Sequence, residues 1–298
     1  MISVVGTTSS FDLREVQNQL QGLVGKSIPE KRTFIERVTN SEHFPLMIES
    51  ILNDPQLLQE IADRSFPHKN GFDLFKIFKT KDYDFRIHIW DKSKENQENP
   101  HSHRWDVVSR ILVGTLNQDF FKKVDEHPVQ KTFLVNPDIR KEALQRRKAN
   151  AQEPFEEPEQ VTLIQRKRFQ CQPNPGYHKE QDETRRTFPY VIVQVIDDGR
   201  EDYLLRQETS APFTQVQAGK SYGLDRSIIH RIVRKAQDGM TATLMMNTAP
   251  HTPASQVFST RDLTTDDECD AFTFTAEEVK SKLQHLLVKY QEANSKSS

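Results

Sequence analysis

The chain has 298 residues, which is long enough to bury a substantial hydrophobic core without disulfides or a structural metal. Hydrophobic residues make up 35% and charged residues 28%, so we expect one compact core with polar segments around it. The 41 Lys and Arg residues nearly balance the 43 Asp and Glu residues, which removes the overall electrostatic case for a nucleic-acid or anionic-membrane partner.

Cysteine usage and the amino-terminal sequence bear on the compartment. The two cysteines, Cys171 and Cys269, form no CxxC pair, so neither a disulfide scaffold nor a thiolate zinc site is indicated. Residues 1–10 lack the basic and apolar regions of a secretory leader, and no window reaches the apolar length of a membrane span. These features predict a soluble, cytoplasmic protein.

Residues 1–68 predict a helical amino-terminal extension. Apolar residues recur at steps of three and four, beginning with a stripe that includes Leu13 and Leu20. Ser27 and Glu30 have the spacing of a capping box, and Asp54-Pro55 is typical of a further helix start.

The sequence predicts strands over residues 69–262, because apolar residues recur there at every second position. Phe85, Ile87 and Ile89 alternate with Arg86 and His88, so one face of this strand is polar and is either wet or functional. No helical segment alternates with the strands, which favours an antiparallel sandwich or barrel. Further strand-like runs cover residues 107–116, 161–164, 190–196, 203–205, 213–216, 228–233 and 241–246.

Two segments interrupt or follow the strands. Residues 136–188 mix basic and acidic stretches, which predicts a polar insertion; a solvated surface is favoured there over a dedicated anion site. Residues 263–298 predict a final amphipathic helix that starts at the capping box of Thr275 and Glu278 and frays from residue 292.

Three histidines form the candidate metal site. His101 and His103 lie at positions i and i+2, which places both side chains on one side of a strand, where they can chelate a metal ion. Paired surface histidines are the alternative. His230 follows a glycine-containing turn region far along the chain and supplies a third imidazole.

The surroundings of these histidines resemble the two metal-binding motifs of the cupins. The second cupin motif runs G, five residues, P, one residue, G, two residues, H; here Gly219 and His230 match, while Asp225 and Ser227 stand in the Pro and Gly places. In the first motif His101, His103 and Gly114 match. Glu95 occupies its opening Gly place, and Val107 and Val108 stand where the metal-binding Glu would be.

The resemblance covers roughly residues 72–250 and implies a double-stranded β-helix, or jelly roll. Three histidines without a carboxylate resemble the thiol dioxygenase branch, which implies Fe(II), O2 and a small-molecule substrate. Because three neutral imidazoles leave the charge of the ion uncancelled, an anionic substrate is expected to bind. Zinc with hydrolytic chemistry is the alternative, and Mn and Ni stay open.

Five further residues are candidates for the pocket. Arg86, as a catalytic or substrate-binding group, can bind a carboxylate or pair with a surface acid, and His88 shares its strand face. Trp105 either lines the pocket or is core. Tyr222 either donates to dioxygen or substrate or has a packing role, and Asn247 is a pocket candidate at a strand end.

Two other functions remain open. The chain can be a cupin that has lost catalysis and serves as a small-molecule binding or interaction module. It can also be a cupin isomerase or hydrolase, because a fold does not fix a reaction. A homodimer is plausible by resemblance, and neither nucleic acid nor a membrane is expected as a partner.

Overall fold

The computed structural model describes residues 12–68, 70–80, 82–91, 96–123, 163–173, 187–189, 193–197, 203–208, 211–235, 238–248, 251, 255–259 and 270–295. These residues are mostly β: they form two antiparallel sheets, a two-stranded ribbon and five helices. The expectation of a mainly β fold, with helices before and after the strands in the sequence, is therefore confirmed.

The helices begin where the sequence carries capping residues. Ser27 and Glu30 form the predicted reciprocal box, with the Ser27 amide donating to the Glu30 carboxylate at 2.9 Å. The Asp54 carboxylate accepts from the Leu57 amide at 3.0 Å. The last helix continues through residues 292–295, which the sequence predicted to fray. The helices are α1 (Leu13–Gly22), α2 (Ile28–Val38), α3 (His43–Leu52), α4 (Pro55–Arg64) and α5 (Ala276–Ser295).

Sixteen strands are present among the described residues. They are β1 (Phe66–His68), β2 (Phe72–Lys79), β3 (Tyr83–Trp90), β4 (Asn96–Gln97), β5 (Val107–Val113), β6 (Thr115–Lys123), β7 (Leu163–Pro173), β8 (Thr187–Pro189), β9 (Val193–Asp197), β10 (Tyr203–Gln207), β11 (Gln215–Gln217), β12 (Ser221–Leu224), β13 (Ile229–Arg234), β14 (Thr241–Thr248), β15 (Ser255–Ser259) and β16 (Asp270–Phe272).

The first sheet has the order β1-β2-β3-β14-β5-β12, and the second has the order β15-β7-β10-β6-β13-β4. In the second sheet β11 also pairs with β6, and β9 with β7; β8 and β16 form the ribbon. Strands distant in sequence are therefore neighbours, as where β14 lies between β3 and β5.

Several predicted boundaries differ from the structure. β1 pairs with β2, so the sheet begins at Phe66, inside the segment taken as a helical extension. The predicted run 107–116 is two strands, because Gly114 turns the chain with a φ of 75°. β7 lies within the range taken as an insertion and pairs with β9, β10 and β15, so that part of the range belongs to the sheet. Residues 136–162 and 174–186 lie outside the described residues.

The first sheet separates two apolar cores. Phe85, Ile87 and Leu244 face the helices, which form a layer over the outside of the sheet. Trp90, Met245 and their neighbours face the second sheet, where they pack with side chains of β6 and β13. The polar alternate positions of β3 therefore point into the space between the sheets.

No helix in the part of the chain that the structure describes is both long and apolar enough to cross a membrane.

Candidate metal centre

Backbone pairing brings the three histidines together. The His101 amide donates to the His230 carbonyl at 2.8 Å, and the His230 amide donates back to the His101 carbonyl at 2.9 Å. On its other side His101 forms a bridge with Val257 of β15. The segment carrying His101 and His103 is thus held between β13 and β15, although His230 lies far away in sequence.

The three imidazoles form a nearly equilateral triangle. Each pair of ring centroids among His101, His103 and His230 is 5.0 Å apart. One ligand atom from each ring lies within 4.8 Å of the others, and the Nε2 atoms of His103 and His230 are 2.8 Å apart. His230 is buried, whereas the His101 side chain keeps 20% exposure, so the group opens on one side.

Gln118 fixes the tautomer of His230. The Phe213 carbonyl can only accept, so the Gln118 amide nitrogen donates to it at 3.1 Å and the amide oxygen faces His230. That oxygen is 3.0 Å from His230 Nδ1, which must therefore carry the proton. The lone pair of His230 Nε2 is then directed at the other two rings.

A backbone carbonyl fixes the tautomer of His101 in the same way. His101 Nδ1 lies 3.0 Å from the Asn99 carbonyl, which only accepts, so Nδ1 carries the proton and Nε2 is left as a ligand. The Glu98 carboxylate lies behind this ring, 3.9 Å from Nδ1. Glu98 accepts from the side-chain amide of Asn70 at 3.0 Å and from the backbone amide of Ile232 at 3.3 Å, and its burial raises its pKa.

Two of the three imidazoles, those of His103 and His230, are held in the neutral form that binds metals. Burial lowers the pKa of His103 and of His230 well below the ordinary value, and the neighbouring imidazoles act in the same direction. Neutral rings keep a lone pair, which a metal ion requires.

The donor set fits a divalent transition metal. Two nitrogens that each lie about 2.1 Å from one ion are about 3.0 Å apart when they subtend a right angle, close to the observed His103–His230 separation. Among the described residues no carboxylate or cysteine joins the three histidines. Imidazole suits Zn, Cu, Fe and Ni, so the set does not by itself choose the ion.

The polar face of β3 lies between the sheets rather than in solvent. The Arg86 guanidinium is 3.7 Å from the Asp84 carboxylate, so the predicted acid partner exists, but it is a neighbour on the same strand face. His88 is buried against the Phe72 ring at a centroid distance of 4.5 Å. Burial, reinforced by Arg86 and His68, lowers the pKa of His88.

Tyr222, Trp105 and Asn247 also lie at this interior. Tyr222 is buried on β12 beside Ser109, and burial raises the pKa of its phenol. Trp105 packs at the edge of the core between the sheets, with the Arg86 guanidinium 5.9 Å from its ring. Asn247 is 1% exposed and lies near the end of β14, after which β15 and β16 still follow.

Sequence reasoning missed three polar groups of the interior. Gln118 and Glu98 contact the histidines from β6 and from the segment before His101, and Asp84 pairs with Arg86. Glu98 and Asp84 carried a usable signal, since each lies close in sequence to a candidate residue. Gln118 carried none, because its contact with His230 depends on the pairing of β6 with β13.

No protein-family model matches this chain, and no curated protein matches it significantly.

Proposed function

We propose that this protein is a cupin-type oxygenase, an Fe(II) dioxygenase that acts on a small anionic substrate with His101, His103 and His230 as the metal ligands. The convergence of three imidazoles, with no carboxylate among them in the described residues, carries this proposal. A three-histidine site leaves the full charge of the ion available to an anion and leaves positions for two further molecules.

The strand order supports the cupin part of the proposal. A jelly roll consists of two antiparallel sheets in which strands distant in sequence alternate. Here β14 lies between β3 and β5, and β13 pairs with both β6 and β4. The histidines lie on the second sheet and face the polar side chains of the first sheet.

A bound Fe(II) would supply a redox centre at which O2 is added to a coordinated anion. The chain's own residues prepare that reaction. Gln118 and the Asn99 carbonyl orient two ligand rings, and Arg86 offers a guanidinium for a substrate carboxylate. The Tyr222 phenol is protonated at physiological pH, where its raised pKa keeps it, and it can donate a hydrogen bond to the substrate.

Oxygen uptake tests the proposal directly. The full chain is purified without chelator and loaded anaerobically with Fe(II) or with Zn(II). Small thiol- and carboxylate-bearing acids are then added with O2. Substrate-dependent oxygen uptake by the Fe(II) form, with none by the Zn(II) form or by a His230→Ala variant, is expected. No substrate-dependent oxygen uptake by the Fe(II) form with any of these acids, or equal uptake by the His230→Ala variant, would contradict the oxygenase.

A further inference from the structure

Asn247 and Asp84 leave three hydrogen-bonding atoms without a partner at the interior end of the first sheet. Neither amide atom of Asn247 has a hydrogen-bond partner among the described residues, and the same holds for Asp84 Oδ1. The two residues are opposite each other in the β14–β3 register, so their side chains lie side by side on one face. Asn247 is 1% exposed, and the Asp84 side chain is 20% exposed.

Such a cluster destabilises the folded protein unless a binding partner forms hydrogen bonds with its atoms. A buried polar atom without a partner loses the hydrogen bonds that it makes with water in the unfolded chain, so three such atoms lower the stability of the fold. Apolar side chains at these positions would remove that cost. The polar groups at these positions therefore favour a polar binding partner beside them.

The three atoms define the chemistry of that occupant. Asp84 Oδ1 and Asn247 Oδ1 accept, and Asn247 Nδ2 donates, so a group with two donors and one acceptor satisfies all three atoms. A primary carboxamide has two N–H bonds and one carbonyl oxygen. An ammonium group would leave Asn247 Nδ2 without a partner, and a carboxylate would face two acceptors.

We propose that Asn247 and Asp84 bind a primary carboxamide or ureido group, and that the substrate of this protein carries such a group in addition to its acid. The identification of this ligand as the substrate rests on the proposed function, but the binding site itself does not. Arg86 links the two, because it is paired with Asp84 at 3.7 Å and its Nε atom also has no partner among the described residues. Its guanidinium is thus placed for a carboxylate on the same ligand.

The location next to the metal centre supports the assignment. Trp105 lies two residues after His103, and its ring is 5.9 Å from the Arg86 guanidinium, so the face of β3 that carries Arg86 and Asp84 lies beside the segment that carries His103. Trp105, whose indole nitrogen also lacks a partner among the described residues, contacts the Arg86 guanidinium from the segment after His103. A ligand held at Asn247 and Asp84 would therefore lie on the strand face that also carries Arg86.

Three matched probes test the assignment on the metal-free full chain. Succinamate, succinate and 4-aminobutyrate share a carboxylate and differ at the other end, which is a carboxamide, a carboxylate or an ammonium group. Calorimetric titration is expected to show succinamate binding at least about tenfold more tightly than the other two, because only its end group satisfies all three atoms. Equal binding of all three, or tightest binding of succinate or 4-aminobutyrate, would overturn the proposal, as would no binding of succinamate.

Two variants on neighbouring positions of β14 locate the site. Asn247→Asp keeps the shape but loses the donor, and it is expected to weaken succinamate binding about tenfold or more. Thr248→Val is the control, since strand alternation turns Thr248 to the helical side of the sheet. An Asn247→Asp variant that stays folded by circular dichroism and binds succinamate like the original chain would contradict the assignment.

The carboxamide site and the proposed function can fail independently of each other. Metal binding by the three histidines is measured independently, in the absence of any probe. If the chain binds metal and consumes oxygen but does not bind succinamate, only the carboxamide site is contradicted. If the chain binds succinamate but no metal, the carboxamide site is supported and the oxygenase is contradicted.

Discussion

Gln118 connects the backbone of Phe213 to the ring of His230. Phe213 has a φ of 69°, a left-handed conformation that a bulky residue adopts at a cost of about 1–3 kcal/mol. Its carbonyl accepts from the Gln118 amide, which in turn orients the His230 proton. A strained turn on the chain therefore helps to set the tautomer of a candidate metal ligand.

Replacing Gln118 tests this relay. Gln118→Leu removes the acceptor for His230 Nδ1, and metal affinity is expected to fall about 10–100-fold, as for other groups that orient ligand histidines. Competition of Zn(II) between the protein and a chromophoric chelator measures the loss. Gln118→Glu keeps the acceptor for His230 Nδ1 but loses the donor to the Phe213 carbonyl, so its metal affinity is expected to lie between those of the original chain and the Leu variant. Equal affinities of the Leu variant and the original chain would show that Gln118 does not position the ring.

At the scale of elements, Gly114 joins the two sheets. It ends β5 of the first sheet and begins the connection to β6 of the second, with a φ of 75°. A Cβ added there would run into the Met240 carbonyl, which belongs to the backbone and cannot move aside cheaply. The position therefore requires glycine for both its conformation and its close approach.

Gly114→Ala is expected to lower the free energy of unfolding by more than about 2 kcal/mol, since conformational strain and a backbone clash add. Gly25→Ala is the matched control: its φ is also 75°, but no heavy atom lies within 4 Å of an added Cβ. That variant should cost only about 1–2 kcal/mol from the left-handed conformation. Urea unfolding compares the two, and equal losses would contradict a role for the Met240 contact.

The elements differ in how well the sequence predicts them. The helices with caps at Ser27 and Asp54 and the strand carrying Ile87 follow from local periodicity and local hydrogen bonds. β6 continues through a polar stretch that contains Gln118, and its pairing with β13 is what makes it a strand. The pair His101 and His103 is likewise visible in the spacing. Its approach to His230 and the contacts of Gln118 and Asp84 depend on long-range pairing, which periodicity does not report.

At the scale of the whole molecule, the helices form a layer of the structure. α5 contacts α3, α4 and the first sheet, and its Tyr290 hydroxyl donates to the Thr39 carbonyl at 2.8 Å. Helices from both ends of the chain thus share one core with the outer face of the first sheet. The sheet that carries Arg86 and Asn247 is buried on both faces, which holds its interior side chains in place.

A pair of substitutions on α5 checks this arrangement. Leu283 is 0% exposed, so Leu283→Ala should lower the free energy of unfolding by about 2–5 kcal/mol through lost burial and a cavity. Val288 is 50% exposed, and Val288→Ala should change it by less than about 0.5 kcal/mol. Denaturant unfolding measures both. Similar small effects at the two positions would mean that α5 does not contribute to the core.

Titration of the metal-free full chain with Co(II), followed by visible absorption, tests the metal centre most directly. We predict saturation at one ion per chain, loss of the spectrum in His101→Ala, His103→Ala and His230→Ala, and an unchanged titration in His285→Ala, whose side chain is exposed on α5. A chain that takes up no Co(II), or three alanine variants that bind it as well as the original, would contradict a shared ion at the three imidazoles.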